Sequence, residues 1–243
     1  MLKEAIEKIQ ELCAPHLFTS GSHDFIADAE GGYAEVKPDL EIVDNIQLSS
    51  LDAMVAFVKT EAVGRYSTVY ITIPDHKTVK CFTHPSAELR NNREYPYTAN
   101  ATDVPGWNEK VSLPFEEALI ALRTRFQPTA DTEYALKLLS DITTGSKVTN
   151  NDNGIATSVV TKKGIDLQSN ASIRPIIKLR PYRTFQEVEQ PESQFLIRIN
   201  ERNISFIEAD GGMWKLSARN TVKKYLEKAL ESEIQSGHVV VVL

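Results

Sequence analysis

The chain has 243 residues, with 27 basic and 33 acidic side chains and a formal net charge of −6 at pH 7. This length suffices for one large domain or two small ones, and a core of that size requires neither disulfides nor a metal. The acidic balance argues against a protein that coats nucleic acid over its whole surface, because such a surface is basic. It leaves room for a local basic strip.

The sequence contains no apolar run of the length that a membrane helix requires. Its first residues lack the basic start and apolar middle of a signal peptide. We expect the two cysteines, Cys13 and Cys81, to be buried free thiols in a reducing compartment. These features predict a cytoplasmic protein without a membrane partner.

The first quarter of the chain predicts a helix, two strands and a second helix. An apolar stripe over residues 2–13 indicates a helix that ends before Pro15. Residues 25–27 and 33–36 favour two short strands. One of the serines at 49–50 then caps a helix that has a clear apolar side.

Strand patterns follow this helix. Apolar residues alternate with polar or aromatic ones over 68–73, and residues 78–83 are predicted to form the hairpin partner of that strand. The segment 90–98 is polar and contains Pro96, so any strand there is expected at a sheet edge.

The middle of the chain predicts two helices and another hairpin. Apolar stripes from Pro114 to Phe126 and from Asp131 to Leu139 indicate an αα-hairpin. Residues 147–149 and 155–162 flank an Asn-rich turn that contains Asn153-Gly154, a pair that supplies the positive φ of a tight hairpin.

The segment 173–230 gives the strongest pattern in the sequence. Alternating residues over 195–199 and 204–209 flank a short polar turn and predict a hairpin. The apolar stripe of the helix that follows, from Val222 to Ile234, is expected to cover this hairpin.

Helices and hairpins thus occur in blocks, which predicts an α+β fold of antiparallel sheets packed against several amphipathic helices. We expect a single domain over 1–243, with two lobes, 1–110 and 111–243, as the alternative.

The sequence contains no recognisable catalytic or cofactor motif. The five histidines show no ligand spacing, and the glycine pairs match no nucleotide-binding loop. No serine or cysteine lies in a nucleophile motif. We therefore predict no catalytic residue, no metal site and no cofactor, with an enzyme of dispersed catalytic residues as an alternative.

A basic strip is the one polar constellation with a functional interpretation. Three of its cations fall on one side of a predicted strand whose other side is apolar. Cations that follow phosphates beside an aromatic ring are typical of single-stranded nucleic-acid binding. The alternative is a solvated outer face at a sheet edge. The candidate nucleic-acid residues are Arg174, Lys178, Arg180, Tyr182, Arg183 and Arg198.

The last six residues form the other notable feature, because four consecutive valines and a leucine favour a β-strand over solvent exposure. Such a strand pairs either with the chain's own sheet or with a second copy, and the second choice predicts a homo-oligomer. The candidate oligomer contacts are Val239, Val240, Val241, Val242 and Leu243.

Several of these segments resemble the YfdQ-like family of phage and prophage proteins. The resemblance is carried by residues 44–48 leading into the helix from Ser50, by residues 131–161, and by residues 173–209 with their Arg198-Ile199-Asn200-Glu201 turn. It implies a phage or prophage origin and action in the bacterial cytoplasm, and it transfers no active-site residue. Such proteins are often encoded among phage early genes, some near recombination functions.

These observations favour a non-enzymatic phage protein that acts as a self-associating scaffold or binding module. The alternatives are a single-stranded nucleic-acid-binding accessory of phage recombination or replication, and a small-ligand-sequestering protein or unrecognised enzyme.

Overall fold

The computed structural model describes residues 3–6, 8, 16–21, 23–27, 32–36, 44–86, 89, 91–143, 148–152, 157–162, 168–172, 174–200 and 202–243. The chain divides into two compact units, Met1–Ile42 and Val43–Leu243. Among the described residues, no helix is long and apolar enough to span a bilayer.

The first unit contains a three-stranded antiparallel sheet in the order β1-β2-β3. Its strands are β1 (His16–Ser20), β2 (His23–Ala27) and β3 (Tyr33–Val36). The ring of Phe25 lies 5.5 Å from that of Phe18 and 6.1 Å from that of Tyr33, so aromatic contacts join all three strands. The two strands predicted near residues 25–27 and 33–36 are confirmed.

The second unit begins with five strands and three short helical segments. Its elements are β4 (Ile46–Leu48), α1 (Leu51–Phe57), a π-helical segment (Val58–Ala62), α2 (Val63–Arg65), β5 (Val69–Thr72), β6 (Thr78–Thr83), β7 (Tyr97–Asn100) and β8 (Lys110–Pro114). Ser50 caps α1 as predicted, because its Oγ accepts a hydrogen bond from the Ala53 N–H at 3.1 Å.

The remainder of this unit supplies the other elements. They are α3 (Phe115–Thr124), α4 (Ala130–Thr143), β9 (Val148–Asp152), β10 (Thr157–Lys162), β11 (Gln168–Ser172), β12 (Ile176–Leu179), β13 (Ser193–Ile199), β14 (Asn203–Glu208), α5 (Met213–Ala229), α6 (Glu231–Gln235) and β15 (Val239–Val242). Helices and mainly antiparallel sheets together confirm the α+β prediction.

A five-stranded sheet in the order β15-β5-β6-β7-β4 forms the first layer. The inner three strands are antiparallel, whereas β15 runs parallel to β5 and β4 runs parallel to β7. Alternate strand residues, such as Val69 and Ile71, face a core that α1 and α5 complete with residues such as Met54 and Leu226.

The prediction of an edge strand around Pro96 is wrong. Strand β7 follows that proline directly and lies between β6 and β4. Proline lacks only the N–H group, and its carbonyl still joins the sheet, since the Ile46 N–H donates to the Pro96 oxygen at 2.8 Å.

A four-stranded antiparallel sheet in the order β12-β13-β14-β8 forms the second layer. The predicted hairpin β13–β14 and the predicted αα-hairpin α3–α4 are both confirmed, and their apolar faces share a core that includes Leu122, Leu139 and Phe195. Strands β9, β10 and β11 form a further antiparallel sheet, so the hairpin of 147–162 is confirmed, whereas its Asn153-Gly154 turn lies outside the described residues.

One prediction about the long-range arrangement is wrong. The last long helix, α5, packs on the five-stranded sheet through Val222 and Leu226, whereas α3 and α4 cover the 195–209 hairpin. The prediction of a single domain over 1–243, with the lobes 1–110 and 111–243 as the alternative, stays a prediction. Helix periodicity identifies an apolar side but not the sheet that receives it.

Candidate nucleic-acid interface

The face of the five-stranded sheet that points away from α1 and α5 carries the most distinctive surface of the second unit. The register places ten strand residues on this outward face: Val240, Val242, Tyr70, Thr72, Thr78, Lys80, Phe82, Thr98, Asn100 and Gln47. None of these ten is acidic, and all except Thr98 keep part of their surface exposed. We call this surface the open face.

Aromatic rings gather on the open face where β5 and β6 pair. Tyr70 lies opposite Phe82 in the antiparallel register, and their rings stack with centroids 5.3 Å apart and planes 14° apart. The ring of Tyr95 lies 5.8 Å from Phe82, and that of His84 lies 6.4 Å from Tyr70. Tyr95 is 49% exposed. Tyr70 and Phe82 are half-buried, so Tyr95 is the most exposed of these three rings and offers its surface to a ligand.

Cationic groups border the aromatic cluster. The guanidinium carbon of Arg93 lies 5.7 Å from the Tyr70 ring centroid and 5.3 Å from that of Phe82. Arg93 Nη1 donates a hydrogen bond to the Thr83 carbonyl oxygen at 2.9 Å, which fixes the side chain over the two rings. Lys80 is exposed, and it forms no ion pair with any described residue.

The predicted basic strip lies elsewhere, on the edge strand β12 and the segment that follows. The expected facing is confirmed, because Ile177 and Leu179 are buried whereas Lys178 and Arg174 are exposed. The strand also lies at the predicted sheet edge.

Acidic side chains already pair with the strip's cations. Arg174 Nη1 lies 3.2 Å from an oxygen of Asp131, and Lys178 Nζ lies 3.1 Å from Glu192. Arg180 contacts Glu189 and lies 3.5 Å from Glu192. A phosphate would have to compete with these carboxylates, which favours the solvated-face interpretation of the strip.

The structure removes Arg183 from any exposed strip. Its side chain is 2% exposed and forms an ion pair with Glu208, with 2.5 Å between Nη2 and Oε1. The guanidinium carbon also lies 4.2 Å from the ring centroid of Trp214, whose Nε1 donates to Glu208 Oε2 at 3.1 Å. Burial lowers the pKa of the Arg183 guanidinium from its usual value, and the Glu208 charge opposes that shift. A buried, paired arginine is not available to a nucleic acid.

The last two residues of the strip are Tyr182 and Arg198. Tyr182 is half-buried, and its N–H donates to the Arg125 carbonyl oxygen at 2.9 Å. Arg198 lies on β13, opposite Ser205 of β14, and is partly exposed. The structure therefore does not bring the six predicted residues together on one accessible surface.

The five candidate oligomer residues form β15 and its end. Val239 is 1% exposed and faces the core, whereas Val240 and Val242 are each 37% exposed on the open face and Leu243 is 43% exposed. One edge of β15 pairs with β5 of the same sheet. Its other edge pairs with no described strand, so β15 is an edge strand. The structure thus shows β15 paired within its own chain, and the outer edge of the strand is not paired with any described strand.

A metal site and a nucleophilic cysteine have less support among the described residues. No group of three or more His, Cys, Asp or Glu side chains lies close enough there to hold a metal ion. The free thiol of Cys81 is buried as predicted, and burial raises its pKa to about 12, so it is a poor nucleophile. Cys13 lies outside the described residues.

No protein-family model, curated protein or solved structure matches this chain. The resemblance to YfdQ-like phage proteins stays a prediction.

The aromatic cluster is not among the sites predicted from the sequence. Its signal in the sequence is an aromatic residue at a polar-side position of each strand of the predicted hairpin, Tyr70 in one and Phe82 in the other. The contributions of Arg93 and Tyr95 depend on the long connection between β6 and β7, whose path has no sequence signal.

Proposed function

We propose that the protein binds single-stranded nucleic acid on the open face of its five-stranded sheet. The observation that carries this proposal is the aromatic cluster of Tyr70, Phe82 and Tyr95 bordered by Arg93 and Lys80 on a face without acidic strand residues. Exposed rings stack on bases of any sequence, and adjacent cations follow the phosphates.

A single strand fits this surface better than a duplex does. Bases in a duplex are stacked on one another, so a flat aromatic surface reaches their rings only when the strand is unpaired. The protein's net charge of −6 would repel a long polyanion over most of its surface, which favours a short local contact at the open face.

Fluorescence anisotropy with a labelled 15-nucleotide dT strand tests the proposal. Loss of one stacked ring costs about 1–3 kcal/mol per base, so Tyr70→Ala and Phe82→Ala should each weaken binding by roughly fivefold or more. Tyr33→Ala is the matched control, because Tyr33 is 73% exposed in the other unit. Failure of the unmodified protein to bind, or unchanged affinity in both ring variants, would reject the proposal.

The resemblance to YfdQ-like proteins suggests in which biological process single-strand binding would be used. Such proteins are often encoded among phage early genes, some near recombination functions, so we propose a cytoplasmic accessory role in phage DNA recombination or replication, by association only.

Self-association is the second candidate function. The observation that favours it is β15, an end strand without any charged residue and with Val240 and Val242 exposed. Natural edge strands usually carry charges or prolines that block pairing, and this strand carries neither. Antiparallel pairing of two β15 strands would join two sheets around a two-fold axis and extend the open face.

A further inference from the structure

The open face has a second half, built from side-chain amides rather than rings. Thr78 Oγ1 donates a hydrogen bond to Asn100 Oδ1 at 3.2 Å, and Asn100 Nδ2 donates to Gln47 Oε1 at 3.2 Å. Gln47 Nε2 in turn donates to Asn45 Oδ1, and Asn45 Nδ2 donates to Thr98 Oγ1 at 3.0 Å. We call Asn45, Gln47 and Asn100 the amide row.

The amide row is oriented but not saturated. A primary amide has two N–H donors and an oxygen with two lone pairs. Asn100 and Gln47 each use one donor and one lone pair within the row, so each keeps one donor beside one acceptor. Because neighbours already hold these amides in place, a ligand that matches them loses little additional side-chain freedom on binding.

The row lies next to the aromatic cluster on the same surface. Strand β6 contributes Phe82 to the cluster and Thr78, which lies opposite Asn100 of the row, with exposed Lys80 between them. Four residues along a strand span roughly 13 Å, so a nucleic acid stacked on Phe82 would extend to the amides within a few nucleotides. Lys80 lies where the connecting phosphate would pass.

We infer that the amide row reads the Hoogsteen edge of a base next to the stacked bases and prefers adenine, an inference that rests on the proposed function. An amide of asparagine or glutamine presents a donor and an acceptor side by side, which matches the N7 acceptor and N6 amino donor of adenine. The same edge of guanine offers two acceptors, and those of thymine and cytosine offer one polar group each.

The test compares 15-nucleotide dT strands whose three central bases are dT, dA, dC or dG. The dA strand should bind roughly fivefold or more tightly than the dT and dC strands, the discrimination expected of one good bidentate contact. Gln47→Ala and Asn100→Ala should each reduce the ratio of dA-strand to dT-strand affinity to within roughly twofold. A dA strand made with 7-deazaadenine, which lacks the N7 acceptor, should lose the preference with the unmodified protein.

Gln235→Ala is the matched control, because Gln235 is an exposed amide on α6 outside the open face. Thermal unfolding of each variant checks that the sheet is intact, and the 7-deazaadenine strand tests the contact without any mutation. Equal binding of all four strands, or a preference that survives in both amide variants and with 7-deazaadenine, would overturn the inference while the proposed function stands. Absence of binding to every strand would overturn both.

Discussion

Arg183 and Glu208 form a buried ion pair, with side chains 2% and 6% exposed and 2.5 Å between Nη2 and Oε1. Arg183 precedes β13, and Glu208 ends β14, so the pair ties a connecting segment to the four-stranded sheet. Trp214 at the start of α5 contacts both partners, by a cation–π contact and a hydrogen bond. The pair therefore links the hairpin of one layer to the helix that covers the other.

Glu208→Ala should lower the free energy of unfolding by about 3–5 kcal/mol, because it leaves the Arg183 charge buried without its partner. Urea denaturation measures the change. Glu227→Ala is the control, since Glu227 pairs with Lys223 one helical turn away on an exposed surface and should cost about 0.5 kcal/mol or less. Similar small losses in both variants would show that the buried pair contributes little.

Lys80→Ala should make the salt dependence of single-strand binding less steep by about 0.7 in the slope of log K against log salt, the value for one phosphate contact. Lys178→Ala should leave the slope unchanged, because its ammonium already lies 3.1 Å from Glu192. Anisotropy titrations between 50 and 300 mM salt, roughly the range over which such contacts weaken, measure both slopes. The reverse pattern would locate the interface on β12 instead of the open face.

Stability should fall as pH rises above about 9. The folded-state pKa values of Cys81, Tyr66 and Tyr225 are each raised to about 12 by burial, above their ordinary values of 9.0 and 10.0. The unfolded chain therefore releases these protons first, and stability that is fully present below pH 9 is lost as pH approaches 12. Cys81→Ala should flatten the early part of this decline in urea denaturation series. An equally steep decline in that variant would contradict the role of the thiol.

If two β15 strands pair in solution, Val240→Lys and Val242→Lys should convert the assembly to monomers, because lysine on an edge strand opposes pairing with a like strand. Light scattering across a tenfold concentration range measures the mass. Leu216→Lys is the control, since Leu216 is an apolar residue of α5 that is 47% exposed away from this edge. A monomeric unmodified protein would remove the self-association candidate.

Local periodicity predicted most of the hairpins and helices, because alternation and helical spacing depend on residues that are close in sequence. It identified β5–β6, β13–β14 and α3–α4, and it placed the last valines in a strand. It could not assign α5 to its sheet or anticipate that β15 and β4 pair in parallel, because these contacts join distant segments.

The same limit applies to the site. Burial of Arg183 depends on Glu208 and Trp214, which lie more than twenty residues away in the sequence. The neutralised cations of β12 likewise depend on acids contributed by other segments, such as Asp131. The basic pattern in one strand therefore predicted correctly that Lys178 is exposed. It could not predict that carboxylates neutralise the charge of this surface.

The parallel pairing of β15 with β5 joins segments about 170 residues apart and determines when the sheet can form. Contacts of such long sequence separation form slowly, so we expect the five-stranded layer to be a late step in folding. Any fragment that ends before Met213 would lack both the covering helix and the end strand, and its exposed apolar layer would favour aggregation. Recombinant fragments that carry the open face therefore need residues 213–242 as well.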